Sequence, residues 1–204
     1  MPFTKHRTFD DAAQLAIEWA GNAATDGPVV MVADRIGEYH GRPLFSRFQP
    51  DLHISPKSRR PSVRAGAVLA HVPTPQTLDL AMQVAGDSAV VVTEHPDPWR
   101  LFGWAEALSA VDLLTGESRT LAPELQEYLR TLEFYGNNGY PGGYGRDHAL
   151  RILEEMNAAE LLDRDRVLSA LLAGGVLSVA AIETLDKLID KVAGPRGHAF
   201  DHDS

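Results

Sequence analysis

Four polar side chains stand where apolar, β-branched runs end: Asp34 after PVVMVA, His71 in AVLAHV, and Glu94 with His95 after AVVVT. Two carboxylates and two imidazoles form a set that can ligate a divalent metal or divide general acid and base work. In an open parallel sheet such residues gather outside the carboxyl ends of the strands, where loops and helix N-termini converge. Thr74 and Thr93 fall at the same ends, and Asp112 lies inside a further candidate strand. A plainer reading competes with this one. Polar residues end strands because strands end at the surface, and Thr74 and Glu94 also suit helix caps.

A second constellation is the loop GNNGYPGGYG, residues 136–145. Its glycines precede a helix expected to open with Arg146. Free N–H groups at a helix start beside a positive side chain suit an anion, so Gly142, Gly143, Tyr144, Gly145 and Arg146 are candidate ligand-binding residues. Tyr135, Tyr140 and Tyr144 are interleaved and could form an aromatic platform for a ring or a peptide. The loop matches neither a P-loop nor a G-x-G-x-x-G after a strand. Its plainer reading is a helix connection that needs φ > 0 at several positions. The third constellation is the basic run KSRRPSVR, in which Arg59 and Arg60 suit phosphates or an acidic partner. It also has the pattern of a basophilic kinase target at Ser62.

The stretch AVVVTEHPDPWRLFGWAEAL resembles the first element of Toprim domains, an apolar strand ending in Glu and followed by a helix. The resemblance implies a metal-dependent phosphoryl role for Glu94. It covers only this stretch. The glycine that follows the acid in that family is His95 here, and its later strand ending in Asp-x-Asp is missing. Asp163-Arg164-Asp165 has that spacing but sits between helical patterns. No G-x-S-x-G elbow and no HExxH occurs. In the last residues, His198, Asp201, His202 and Asp203 have metal-ligand side chains, which on a flexible tail favour adventitious binding.

The elements that must position these residues follow from periodicity. Ala12, Leu15, Ala16 and Trp19 recur as one helical face. Residues 28–33, 67–72 and 89–93 read as buried strands, with a helix over Leu78, Ala81, Met82 and Ala85 between the last two. That strand–helix–strand unit predicts a parallel pair. A helix from about Pro98 to Leu108 should turn Leu101, Ala105 and Leu108 inward, with Trp99, Phe102 and Trp104 broadening its apolar surface, and Val111–Leu114 is a further strand candidate. Residues 35–66 carry four prolines and no periodicity, with short strands expected near Pro43–Phe48 or Leu52–Ile54. From Pro123 the pattern is helical: 124–134, then a stripe of Ala149, Ile152, Leu153 and Met156, then Val167, Leu168, Leu171 and Leu172. Ser178 caps a last helix whose Ile182, Leu185, Ile189 and Val192 align. The final pair suggests a helix-turn-helix, but Glu183, Asp186 and Asp190 make its second helix a poor phosphate reader.

Composition bounds the rest. The 204 residues hold no cysteine, which excludes disulfides, thiolate nucleophiles and cysteine-held metals and fits a reducing, cytoplasmic setting. The first residues lack the apolar stretch of a secretory signal, and no run nears the ~18 apolar residues of a membrane span. The net charge is −9, yet residues 35–64 hold seven basic side chains against two acids, +5, leaving −14 elsewhere. That balance disfavours a nucleic-acid partner while permitting a local anion site.

The expected fold is α/β: a small three-layer, mostly parallel sheet of three to five strands over residues 1–120. A helical bundle region, 121–193, should pack on it or mediate self-association, with 194–204 as a tail. Two functions stand. One is a non-catalytic binding or accessory protein that holds a protein partner, or a second copy, through its helices and Gly/Tyr loop. The other is an enzyme or binder for a phosphorylated or nucleotide-like molecule at the strand ends. The motifs leave cofactor and metal open.

Overall fold

Residues 9–35, 45, 52–58, 64–94 and 101–194 are described by the structure, a computed structural model. The chain divides into two units, one of Met1–Arg100 with Val111–Glu117, the other of Leu101–Ala110 with Ser118–Ser204.

The first unit begins with helix α1 (Phe9–Ala23) and strand β1 (Val29–Val32), followed by β2 (His53–Ile54), β3 (Ala67–His71), α2 (Pro75–Ala85) and β4 (Ala89–Thr93). The four strands form one sheet in the order β2-β1-β3-β4, and every pair is parallel. Val30 pairs with Val68, and Val68 with Val90, so apolar rows run across the sheet. Parallel strands joined by helices are covered on both faces, which is why these runs are continuously apolar rather than alternating. Met31, Ala33, Ala67, Leu69 and Val91 share a core with Ala16, Ile17 and Ala20 of α1. The alternate residues Val30, Val32, Val68 and Ala70 point to the opposite face and are equally buried, and α2 packs on these strands. Sheet and helices therefore make the expected three layers.

Two details depart from the periodicity. The buried stripe of α1 is Ala13, Ala16, Ile17 and Ala20, one step round from the expected face, with Trp19 only partly buried. Small side chains let the helix lie close to the sheet, and the bulky indole is left at the margin. Val111–Leu114 is not a sheet strand. Asp112 N–H donates to Glu117 O, Gly116 N–H to Asp112 O and Leu114 N–H to the Asp112 carboxylate, which closes a tight turn. Leu113 of that turn packs on the sheet core.

The second unit holds α3 (Phe102–Ala107), α4 (Pro123–Gly136), α5 (Tyr144–Ala158), α6 (Arg164–Gly174) and α7 (Val179–Ala193). The stripe of Ala149, Ile152, Leu153 and Met156 is buried as its spacing predicts. In α6 the six residues Val167 to Leu172 are all buried, because α3, α4 and α7 surround it. Asp163 and Ser178 cap α6 and α7 by accepting the N–H groups of Arg166 and Ala181.

The inward face of α3 differs from expectation. Leu101 and Trp104 are buried as their positions suggest, but Glu106 is buried with them and Leu108 is exposed. Gly103 decides this: its lack of a side chain brings the α3 backbone against the Arg166 carbonyl of α6. Glu106 then receives a two-pronged hydrogen bond from Arg166, at 2.8 and 2.6 Å.

Candidate functional site

The strand order reverses between β1 and β3: the chain leaves β1 to add β2 on one side and returns to add β3 on the other. The carboxyl ends of β1 and β3 flank this switch point, the place where open α/β sheets hold ligands. Asp34 follows β1 there. Its exposed carboxylate accepts hydrogen bonds from Thr74 Oγ1, at 2.8 Å, and from Thr77 Oγ1. Thr74 is the N-cap of α2, so Asp34 lies at the positive end of that helix. The carboxylate thus supplies the negative charge that this helix start favours.

His71 belongs to the interior. Only 1% of it is exposed, its Nδ1 shares a 2.6 Å hydrogen bond with Thr93 Oγ1, and its ring meets Phe45 edge-on at 4.7 Å. These contacts join the ends of β3 and β4 and hide the imidazole from solvent. Glu94 follows β4 and is exposed. Asp34 and His71 therefore have separate partners, and no group of three or more His, Asp or Glu side chains converges among the described residues. Asp163 and Asp165, the pair with Asp-x-Asp spacing, sit at the N-cap and in the first turn of α6 rather than at a strand end. His95, Arg59, Arg60 and the tail residues His198, Asp201, His202 and Asp203 lie outside the described residues.

In the second unit the glycine loop is organised by Tyr140. Its ring is buried against Gly136, and its hydroxyl donates to Leu132 O at 2.9 Å, pinning the loop to α4. Burial, with the Glu133 charge adding to it, pushes the Tyr140 phenol well above the usual tyrosine range. Helix α5 opens at Tyr144 rather than at Arg146, with Gly143 at its N-cap at φ 91. That left-handed conformation suits glycine, so Gly143 is placed by backbone geometry. Gly142 is exposed, Gly145 lies in the first turn beside the Tyr135 carbonyl, and Arg146 is half-buried. Asp147 also occupies this turn, so the helix start already carries a carboxylate.

The loop brings rings together. Tyr135 stacks on His148 at 4.6 Å with the planes 6° apart. Tyr144 packs against both, at 5.8 Å from Tyr135 and 4.1 Å from His148. Phe134 joins edge-on to Tyr135 at 5.2 Å. Phe134 and Tyr144 are 77% and 71% exposed, so the four rings form a surface rather than a core. Side-chain hydrogen bonding with Tyr144 raises the Tyr135 phenol above its ordinary range. Arg151 lies at the margin, its guanidinium 3.4 Å from His148 Nδ1 and ion-paired with Glu155 at 2.9 Å. Phe134 and His148 are absent from the candidate residues read in the sequence. Their signal is there: Tyr144 and His148 are four apart on one helix, and Phe134–Tyr135 closes the preceding helix.

No family model matches the chain, and neither the curated proteins nor the solved structures contain a match to it.

Proposed function

We propose that this chain is a non-catalytic binding protein that holds a protein partner on the aromatic surface where α4 meets α5. One observation carries the reading: Phe134, Tyr135, Tyr144 and His148 are mutually packed, with two of the rings mostly in water. Such a surface is costly to leave bare. Burying an exposed ring of this size releases roughly 2 kcal/mol. Rings already held by one another lose little side-chain entropy when a partner arrives. Tyrosine and arginine are also the side chains that dominate binding energy in protein interfaces.

The test is a photo-crosslinking residue placed at Phe134, at Tyr144 and, as a control, at the exposed Glu160. Capture of one protein from the first two positions only supports the reading, provided the purified partner binds the wild-type chain and loses at least tenfold in affinity to Tyr144→Ser. Equal binding to wild type and variant, or the same capture from Glu160, refutes it.

The β1/β3 switch point favours a second reading, an enzyme or binder for a phosphorylated or nucleotide-like molecule at the strand ends. Two observations weigh against it: Asp34 already fills the start of α2, and His71 is spent on Thr93. A thermal-shift screen with nucleotides and sugar phosphates separates the readings, since a ligand at a hundred times its Kd adds about 2.7 kcal/mol of stability.

A further inference from the structure

A cleft of about 170 Å³ opens in the helical unit, lined in part by the last turns of α4 just before the glycine loop. Its apolar wall is Leu108, Leu121 and Leu129 with Ala170 and Ala173. Arg130 and Glu133 of α4 also line it. They are one helical turn apart, a spacing at which opposite charges commonly pair. Here they stay beyond ion-pair distance of one another, and among the described residues no side chain hydrogen-bonds either. Gly174 makes room for this arrangement, because a methyl group on it would collide with the Glu133 carboxylate.

We infer that this cleft binds a small apolar zwitterion, an amino acid with an isobutyl- or benzyl-sized side chain. The α-ammonium sits on Glu133, the α-carboxylate on Arg130 and the side chain against the leucines. Size and charge both lead there. A space of roughly 150 Å³ takes up a benzene-sized group. A cation alone would be repelled by Arg130 and an anion alone by Glu133, whereas a zwitterion satisfies both. Burial has also pushed the Glu133 carboxyl above the ordinary glutamate range, with Arg130 drawing it partly back. A half-desolvated carboxylate of this kind gains more from an arriving ammonium than a fully hydrated one does.

The test is a titration of the full chain, followed by amide resonances of the cleft residues. The probes are L-leucine, L-leucinamide (no carboxylate) and 4-methylpentanoate (no ammonium). L-leucine should perturb Leu108, Leu129 and Ala173 with a Kd on the order of 1 mM or tighter, as expected of so small a ligand. Leucinamide and 4-methylpentanoate should each bind at least fivefold more weakly. Glu133→Gln should weaken leucine at least fivefold and remove its advantage over 4-methylpentanoate. Gly174→Ala displaces the carboxylate while favouring the helix, so it should lose binding with no loss of melting temperature. Absence of perturbation by leucine, equal binding of all three probes, or wild-type affinity in both variants overturns the inference.

Discussion

Replacing Gly103 with alanine tests the packing that holds α3 on α6. A methyl group built at Gly103 meets the Arg166 carbonyl oxygen well inside contact distance, the Arg166 carbonyl carbon at 2.7 Å and Ser169 Oγ at 2.8 Å. Two of these three atoms are backbone, so α6 cannot yield by turning a side chain. Helix α3 must retreat on the order of 1 Å to restore a carbon contact of about 3.5 Å. Overpacking of this kind costs about 1–3 kcal/mol. The retreat also loosens the buried Trp104 and its backbone N–H bond to Ser169 Oγ, and it stretches the Glu106–Arg166 pair. Alanine returns up to about 1 kcal/mol through helix propensity. With about 1 kcal/mol more lost at the loosened hydrogen bond, the net loss should be about 1–3 kcal/mol, which for a chain of this length lowers Tm by roughly 2–12 °C. Thermal unfolding followed by far-ultraviolet circular dichroism reads this directly. Gly142→Ala is the control, since a methyl there meets no atom within 4 Å, and it should leave Tm unchanged. A Gly103→Ala protein that melts within about 1 °C of wild type would refute the close approach of α3 and α6.

Glu133→Gln should stabilise the helical unit at neutral pH. The folded state raises this carboxyl above its unfolded value, so stability falls as pH rises through the window above the ordinary glutamate range. Melting curves should show variant and wild type alike in acid, with the variant pulling ahead toward pH 7; a constant offset would contradict the burial account. Tyr140→Phe removes the hydroxyl bond to Leu132 O and should cost about 1 kcal/mol by urea unfolding, with the loop amides of residues 137–143 exchanging faster. Thr93→Val removes the buried bond to His71 and should cost roughly 1–3 kcal/mol; a neutral result would mean that the imidazole is held by its other contacts. Arg164→Met breaks contacts to Asp186, Asp190 and the Gly194 carbonyl, and should raise protease sensitivity at the end of α7 more than it changes Tm.

Much of the architecture was legible because it is written in local patterns. The apolar runs at 29–32, 67–71 and 89–93 are bounded by turn residues, and a helix separates the last two. Parallel pairing follows from that order. The stripe of Ala149, Ile152, Leu153 and Met156 needed only the helical period. The short strand His53–Ile54 emerges from a proline-rich stretch with no period of its own, because it is made by pairing with Met31 and Val32. The face of α3 was illegible for a related reason. It depends on the backbone of Arg166, more than sixty residues away in the chain, which no local window can contain.

The sequence by itself determined which residues could do chemistry and that strands would end beside them. It could not assign their partners. Asp34 and His71 look alike as strand-end polar residues, yet one is an exposed acceptor at the start of α2 and the other is buried with Thr93. Polarity is a property of one residue, whereas burial and pairing belong to the packed chain. The same distinction holds for the tyrosines. Tyr140 and Tyr144 occupy one loop motif, but only the fold turns the first inward to Leu132 and leaves the second in water against His148. The glycine loop is written in the sequence; the aromatic surface that it exposes exists only once α4 and α5 have packed.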